Sequence, residues 1–358
     1  MKKKFISLLL VLAMLFSLAA CSSNPDADSS HAEASETRIF TDDAGRKIEL
    51  PATISRIVPS GSLAQIVLFA IAPEMFVGLA GDLQENAKGI IDESYYKLPV
   101  FGNLYSSADL NIEQLALAAP QLIIDIGEPK DSTSEDLNTL QTQTTIPTVF
   151  ISATLETMPE TYRTLGKLLG REEKGEQLAQ FCEKVYSRTS DIMEKVGDNK
   201  VNALYVLGEE GLNVLASGSY HAELIDMLTN NLAVVENPTG RGLGNEVTME
   251  QIALWNPDFI VFDPGSIYDT VSTVEIWNNI HAVSSSNYVE IPEVPYNWMG
   301  MPPSVQRYLG MIWLTAVLYP DYCDYDVKAD IIEYYELFYG CTLTDEQYET
   351  ITANAFLR

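Results

Sequence analysis

The segments EQLALAAPQLII (113–124) and EQIALWNPDFIV (250–261) state one pattern twice. At an offset of 137, Glu113/Glu250, Gln114/Gln251, Ala116/Ala253, Leu117/Leu254 and Pro120/Pro257 recur in register. Each segment reads as a short helix stopped at a proline, because the residue before proline is pushed out of the helical region. A continuous apolar run follows, as expected of a strand buried on both faces. A chain that writes helix, stop and buried strand twice is a duplicated α/β chain.

The two halves share an order. An apolar strand comes first, SRIVP (55–59) and NALYVLG (202–208). Ser-Gly-Ser and a helix follow, at Ser60-Gly61-Ser62 and Ser217-Gly218-Ser219, and then the Glu-Gln helix with its strand. The first half adds IPTVFIS (146–152). Strands alternating with helices imply parallel sheets flanked by helices. The expected fold is α/β, two Rossmann-like lobes joined by a long interlobe α-helix. That helix is read from Tyr162, Leu165, Leu168 and Leu169, then Leu178, Phe181, Val185, Ile192 and Val196, with a Gly-Arg-Glu-Glu interruption between the two sets. The expected divisions are a signal peptide (1–20), a tether (21–37), an N-terminal lobe (38–156), the interlobe helix (157–198) and a C-terminal lobe (199–358).

The first residues, MKKKFISLLLVLAMLFSLAAC, set three lysines before an apolar run of about 16 residues, the layout of a secretory signal. The run is shorter than the ~20 residues of a spanning helix. Leu18-Ala19-Ala20-Cys21 resembles a bacterial lipobox, which implies cleavage before Cys21 and lipid on that residue. Residues 22–36 hold no large apolar side chain and read as a flexible tether. Loss of the signal removes three lysines and no acid, taking the formal charge from −28 to −31. So acidic a body repels nucleic acid and anionic lipid headgroups.

Cys182, Cys323 and Cys341 remain, at spacings that match no zinc pattern; Cys323 with Cys341 could pair, or all could be free thiols. Three histidines, His31, His221 and His281, exclude a multi-histidine metal cage. No nucleophile elbow, phosphate loop, zinc helix or dinucleotide fingerprint occurs, so no catalysis is expected.

With the acidic tether and the segments NIEQLALAAPQLIID and TMEQIALWNPDFIVF, the chain resembles the substrate-binding lipoproteins of ABC importers, over about residues 38–340. The closest subgroup has a rigid interlobe helix and serves ferric siderophores, haem and corrinoids; PYNWMGMPPSVQRYLGMIWLTAVLYP (295–320) resembles a segment of its metal-complex binders. The resemblance implies a monomer held by lipid on the outer face of a bacterial cytoplasmic membrane. Its partners would be a permease dimer with a cytoplasmic ATPase, and its cargo a ferric chelate or haem-like complex with no resident cofactor. A bare oxyanion (molybdate or tungstate) or a corrinoid is the alternative cargo. The resemblance also gives Glu113 and Glu250 the role of docking onto permease arginines, one per lobe; each could equally favour its own helix N-terminus.

In an open parallel sheet, ligands sit outside the carboxyl ends of the strands. Ser60, Gly61, Ser62 and Ser219 are expected there, offering hydroxyls and backbone N–H groups to an anionic ligand group. Ser-Gly-Ser is equally a helix N-cap and a turn. Tyr220 and His221 follow the second copy, and Gly127-Glu128 ends a first-lobe strand. Tyr105 precedes the Glu113 helix. Arg241, in the loop NPTGRGLGNEV, offers five fixed donors to an anion, or is a solvated surface charge. Tyr296 and Trp298, with Asn297 and Met299, form an aromatic loop that could stack on a planar complex; Trp298 could instead cap the second lobe's core.

Overall fold

In the computed structural model, residues 36–104, 112–239 and 242–357 are described. Cys21, His31, Tyr105 and Arg241 lie outside them, as do the signal and nearly all of the tether.

The apolar runs form strands because both of their faces are buried. The chain opens with an antiparallel pair, β1 (Thr37–Thr41) and β2 (Lys47–Pro51). Next come β3 (Ile57–Pro59), α1 (Ser62–Ile71), α2 (Ile112–Ala118), β4 (Leu122–Gly127), α3 (Thr133–Thr144) and β5 (Thr148–Ser152). These strands make a parallel sheet in the order β3-β4-β5. Leu122, Ile124 and Ile126 join the main core, while Ile123 points into a smaller cluster with Leu115 and Phe101. This is the period-two alternation of a strand clad by helices on both sides.

The second sheet repeats the scheme with additions. Its members are β6 (Asn202–Leu207), β7 (Asn213–Val214), β8 (Asn230–Asn231), β9 (Asn245–Glu246), β10 (Phe259–Phe262) and β11 (Tyr288–Glu290). The order is β11-β10-β6-β7-β9, with β8 also pairing β6; β7 runs antiparallel to both of its neighbours, β6 and β9. Ala203, Tyr205 and Leu207 face the main core, and Leu204 and Val206 face a second cluster around Phe262 and Trp277. The main core thus takes one face of each sheet.

The stretch expected to form one interlobe helix is two. α4 (Met158–Leu169) ends at Gly170, whose φ of 66° is left-handed, and α5 (Glu172–Val196) then runs for 25 residues toward β6. The cause of the break is local: Gly170 supplies a left-handed C-cap. The two helices cross closely where glycines meet. A Cβ on Gly175 would stand 2.6 Å from the Tyr162 carbonyl oxygen and 3.1 Å from Gly166 Cα.

The second half continues with α6 (Glu223–Leu228), α7 (Met249–Trp255) and α8 (His281–Ser284). The C-terminal helices α9 (Arg307–Leu318), α10 (Val327–Tyr339) and α11 (Asp345–Ile351) follow. Tyr334 stacks on Phe338 at 4.1 Å, and with Tyr335 and Tyr339 it packs inside the main core. Cys182, Cys323 and Cys341 are free thiols. Among the described residues, no helix is long and apolar enough to cross a membrane.

Candidate functional site

The carboxyl ends of the first sheet meet the second half of the chain along a hydrogen-bonded seam. Tyr220 donates its hydroxyl to the Ala153 carbonyl at 2.8 Å, just beyond β5. The Leu155 N–H donates to Glu223 Oε1 at 3.1 Å, and the Tyr308 hydroxyl donates to the Leu155 carbonyl. Ser304 reaches the Leu63 carbonyl in α1 at 3.1 Å.

At the centre of the seam is Arg307, a residue not singled out in the sequence. Its side chain is fully buried, pairs with Glu223 Oε2 at 2.7 Å, and donates to the Tyr220 carbonyl at 3.3 Å. Its guanidinium lies 5.1 Å from the Tyr220 ring centroid. The Tyr220 phenol is pushed up by burial, with Arg307 pulling it down and Glu223 and Glu128 pushing it up. Burial, and then Arg307, lowers the basicity of His221. The neutral imidazole that results can accept a hydrogen bond or offer a lone pair to a metal. Among the described residues, His221 Nδ1 and Arg307 Nη2 are buried with no hydrogen-bond partner, as are a dozen other side-chain atoms. Gly242 closes the His221 side: a Cβ there would stand 3.5 Å from Nε2 and 2.9 Å from Met301 Cε.

The two Ser-Gly-Ser sites differ in their hydrogen bonding. Ser60 is buried and donates its hydroxyl to Asp125. Gly61 is the N-cap of α1, without a side-chain cap, and Ser62 is exposed. In the second copy all three backbone N–H groups are engaged inside the protein. Ser217 donates to Ala233 at 3.0 Å, Ser219 to Ala216 at 3.2 Å, and Gly218 to Asp226 Oδ2 at 2.7 Å. The Asp226 carboxylate therefore already holds the place of an anion. Ser219 caps only a short turn, Tyr220–Ala222, that leads into α6.

The aromatic loop is likewise drawn inward. Trp298 is fully buried against Trp313, at 6.2 Å between ring centroids, so its ring sits in the core and not in a cleft. Tyr296 is buried beside Tyr339. Asn297 donates to Asp263 Oδ1 at 2.9 Å, and the Tyr205 hydroxyl donates to the same oxygen at 2.7 Å. Asp263, at the carboxyl end of β10, is raised to about 6, chiefly by burial. Its only signal in the sequence is an acid that directly follows a buried strand.

A cavity of about 560 Å³ lies elsewhere, lined among others by Lys88, Pro264, Glu290, Glu293, Glu346 and Gln347. None of the expected site residues lines it. Three carboxylates in its wall oppose an anionic ligand, and Lys88 is paired with Glu85. The seam around Tyr220, His221 and Arg307 is therefore the better candidate.

Two α/β sheets bridged by a helical pair, with polar groups gathered where the strand ends of one meet the other, define a two-part binding protein. The chain belongs to the periplasmic binding protein family, whose model matches residues 94–295. This is a family of solute-binding proteins for transport, not of enzymes. The Fe(3+)-citrate-binding protein YfmC of Bacillus subtilis is 26% identical over 284 residues, 77% of this chain and 85% of that one. The probable siderophore-binding lipoprotein YfiY of the same organism is 23% identical over 318 residues, 83% of this chain and 94% of that one. An ABC transporter solute-binding protein of Sulfurospirillum deleyianum matches in structure with a TM-score of 0.80 and 25% identity, covering 88% of this chain and 99% of that one.

Proposed function

We propose that the chain is a lipid-anchored, extracytoplasmic binding protein of an ABC importer. It captures a ferric chelate or haem-like complex between its lobes and delivers it to a permease dimer driven by a cytoplasmic ATPase. The observation that carries this reading is the likeness, along 77% of the chain, to a protein named for ferric citrate. The seam adds an imidazole of lowered basicity and a phenol ring as groups that can meet a chelate, while the Arg307 guanidinium beside them is buried and already paired with Glu223. A bare oxyanion would want paired helix N-termini, and the N–H groups of the second Ser-Gly-Ser are already engaged. Glu113 and Glu250 are the docking residues of this reading, and lipid on Cys21 is the anchor.

The test is a tryptophan-fluorescence titration of the lipid-free chain with ferric citrate, ferric hydroxamate, ferric catecholate, haem, cobalamin and molybdate. Saturation by one ferric chelate or haem, with none by molybdate, is expected. Saturation by molybdate alone, or by nothing in the panel, would overturn the cargo class.

A further inference from the structure

The cavity of about 560 Å³ opens at the carboxyl ends of β10 and β11, which run parallel, the place where an open α/β sheet receives its ligands. Its size lies within the roughly 300–1,000 Å³ of small-molecule pockets. Three remote parts of the chain enclose it: residues 86–90 of the first half, the segments that follow β10 and β11, and α11 near the end. The protein's own hydrogen bonds join them. Gln347 Nε2 donates to the Gly89 carbonyl at 3.4 Å. The Glu290 N–H donates to the Asn354 carbonyl at 3.0 Å, and Asn354 Nδ2 donates back to Glu290 Oε2 at 2.7 Å. Walls held in this way need little reordering to receive a ligand.

The lining combines carbon with unbalanced negative charge. Ile90, Ile291 and Ile351 supply apolar surface between the acids. Glu290 and Glu293 stand at the end of β11, and Glu346 stands on α11. Among the described residues of the lining, Lys88 is the only cation, and Glu85 holds it at 2.5 Å. The partner of Glu290, Asn354, is a neutral amide. Glu293 is half-buried and makes neither a hydrogen bond nor an ion pair among the described residues. Burial, and then Glu290, raises its proton affinity, as happens to a carboxylate short of positive charge. A carboxylate so placed is costly until a partner arrives. That partner is not a single metal ion: among the described residues, no three acidic, histidine or cysteine side chains gather closely enough to hold one. Acids on two walls with carbon between them suit positive charges spaced along a carbon chain.

We infer that this cavity is a second ligand site, for an aliphatic diamine or polyamine, with ammonium groups on Glu290 and Glu293 at one wall and on Glu346 at the other. Ammonium–carboxylate hydrogen bonds are charge-assisted and among the stronger ones. The methylene groups between the charges would lose water against the isoleucines. The site shares no lining residue with the seam around Tyr220, His221 and Arg307, so it goes beyond the proposed cargo site and is tested separately from it.

The test is isothermal titration calorimetry of the lipid-free chain with 1,5-diaminopentane and with spermidine, at physiological ionic strength. One saturable site is expected for at least one of the two amines. Glu293→Gln should weaken it roughly tenfold, the loss of one charge-assisted bond. Thr350→Trp should abolish it, because Thr350 is an exposed lining residue and a large ring there fills the mouth without disturbing the core. Glu173→Gln removes the same charge from an exposed place on α5 and should leave the affinity unchanged. Thermal melts that match the parent show each variant to be folded; should Glu293→Gln fail to fold, Thr350→Trp decides alone. No saturable site for either amine, an equal loss with Glu173→Gln, or full affinity in Thr350→Trp overturns the inference. Displacement of the amine by an equal concentration of magnesium chloride would reveal a mere counter-ion cloud and overturns it as well.

Discussion

Glu223 and Arg307 meet at 2.7 Å, the arginine fully buried and the glutamate 29% exposed. The other oxygen of Glu223 accepts the Leu155 N–H, so one carboxylate neutralises a buried charge and pins the segment after β5.

Glu223→Ala should destabilise the chain by about 3 kcal/mol, at the low end for a broken buried pair because Glu223 keeps some solvent. Replacing both partners, Glu223→Leu with Arg307→Met, should cost less, since no bare charge is left behind. Urea unfolding of the two variants checks this; equal losses would show that the charge is not what matters.

Asp263 gives stability a pH dependence of definite sign. Its folded value of about 6 lies above the ordinary 3.8, so the folded chain binds the proton more tightly. Its contribution is therefore most favourable below pH ~4 and is lost as pH rises through ~6, by roughly 3 kcal/mol for a shift of about two units. Asp263→Asn keeps an oxygen for Tyr205 and should flatten the curve, leaving the variant more stable than the parent at pH 8. Thermal melts between pH 5 and 8 read this directly; parallel curves for the two proteins would refute it.

Ala119 and Asn256 hold equivalent left-handed positions, with φ of 44° and 42°. Asparagine tolerates that region and alanine does not. Ala119→Gly should raise stability by about 1 kcal/mol, and Asn256→Ala should lower it by a similar amount. Opposite signs in denaturant midpoints are the result to look for.

Gly175→Ala should cost about 2 kcal/mol, because its methyl group would meet backbone at Tyr162 and Gly166 and not a side chain that can swing away. Gly170→Ala should cost less, since nothing stands within 4 Å of its Cβ and only the left-handed φ is strained. A midpoint shift for Gly175→Ala no larger than that for Gly170→Ala would argue against a tight α4–α5 crossing.

What could be read without coordinates was local. A proline stop and apolar runs are short-range signals, and they placed β4, β10 and their preceding helices to within a residue or two. The Gly170 break was visible as an interruption, but whether a glycine there would end a helix depends on Arg171 and Glu172 turning back against Gly166. The partners of the second Ser-Gly-Ser depended on the fold: Ala233 lies 16 residues beyond Ser217, and Asp226 eight beyond Gly218. Arg307 was masked by its apolar neighbours, YLGMIWL, which read only as a packing helix. Trp298 could have gone either way on composition, and its contact with Trp313 decides for the core. The strands β7 and β9, two residues each, are too short to leave a period.

The stitches from Tyr220, Glu223 and Tyr308 to residues 153–155 are made by the protein's own groups and hold the two sheets at a set angle. Little of the free energy of capture would then go into reshaping the protein, and vacant and laden molecules should share almost one outline. Solution scattering should accordingly give the same radius of gyration with and without ligand. Under the proposed importer function, a permease could not sort full from empty carriers by silhouette alone, vacant carriers would compete for its mouth, and overproducing the chain beyond the supply of cargo should slow uptake.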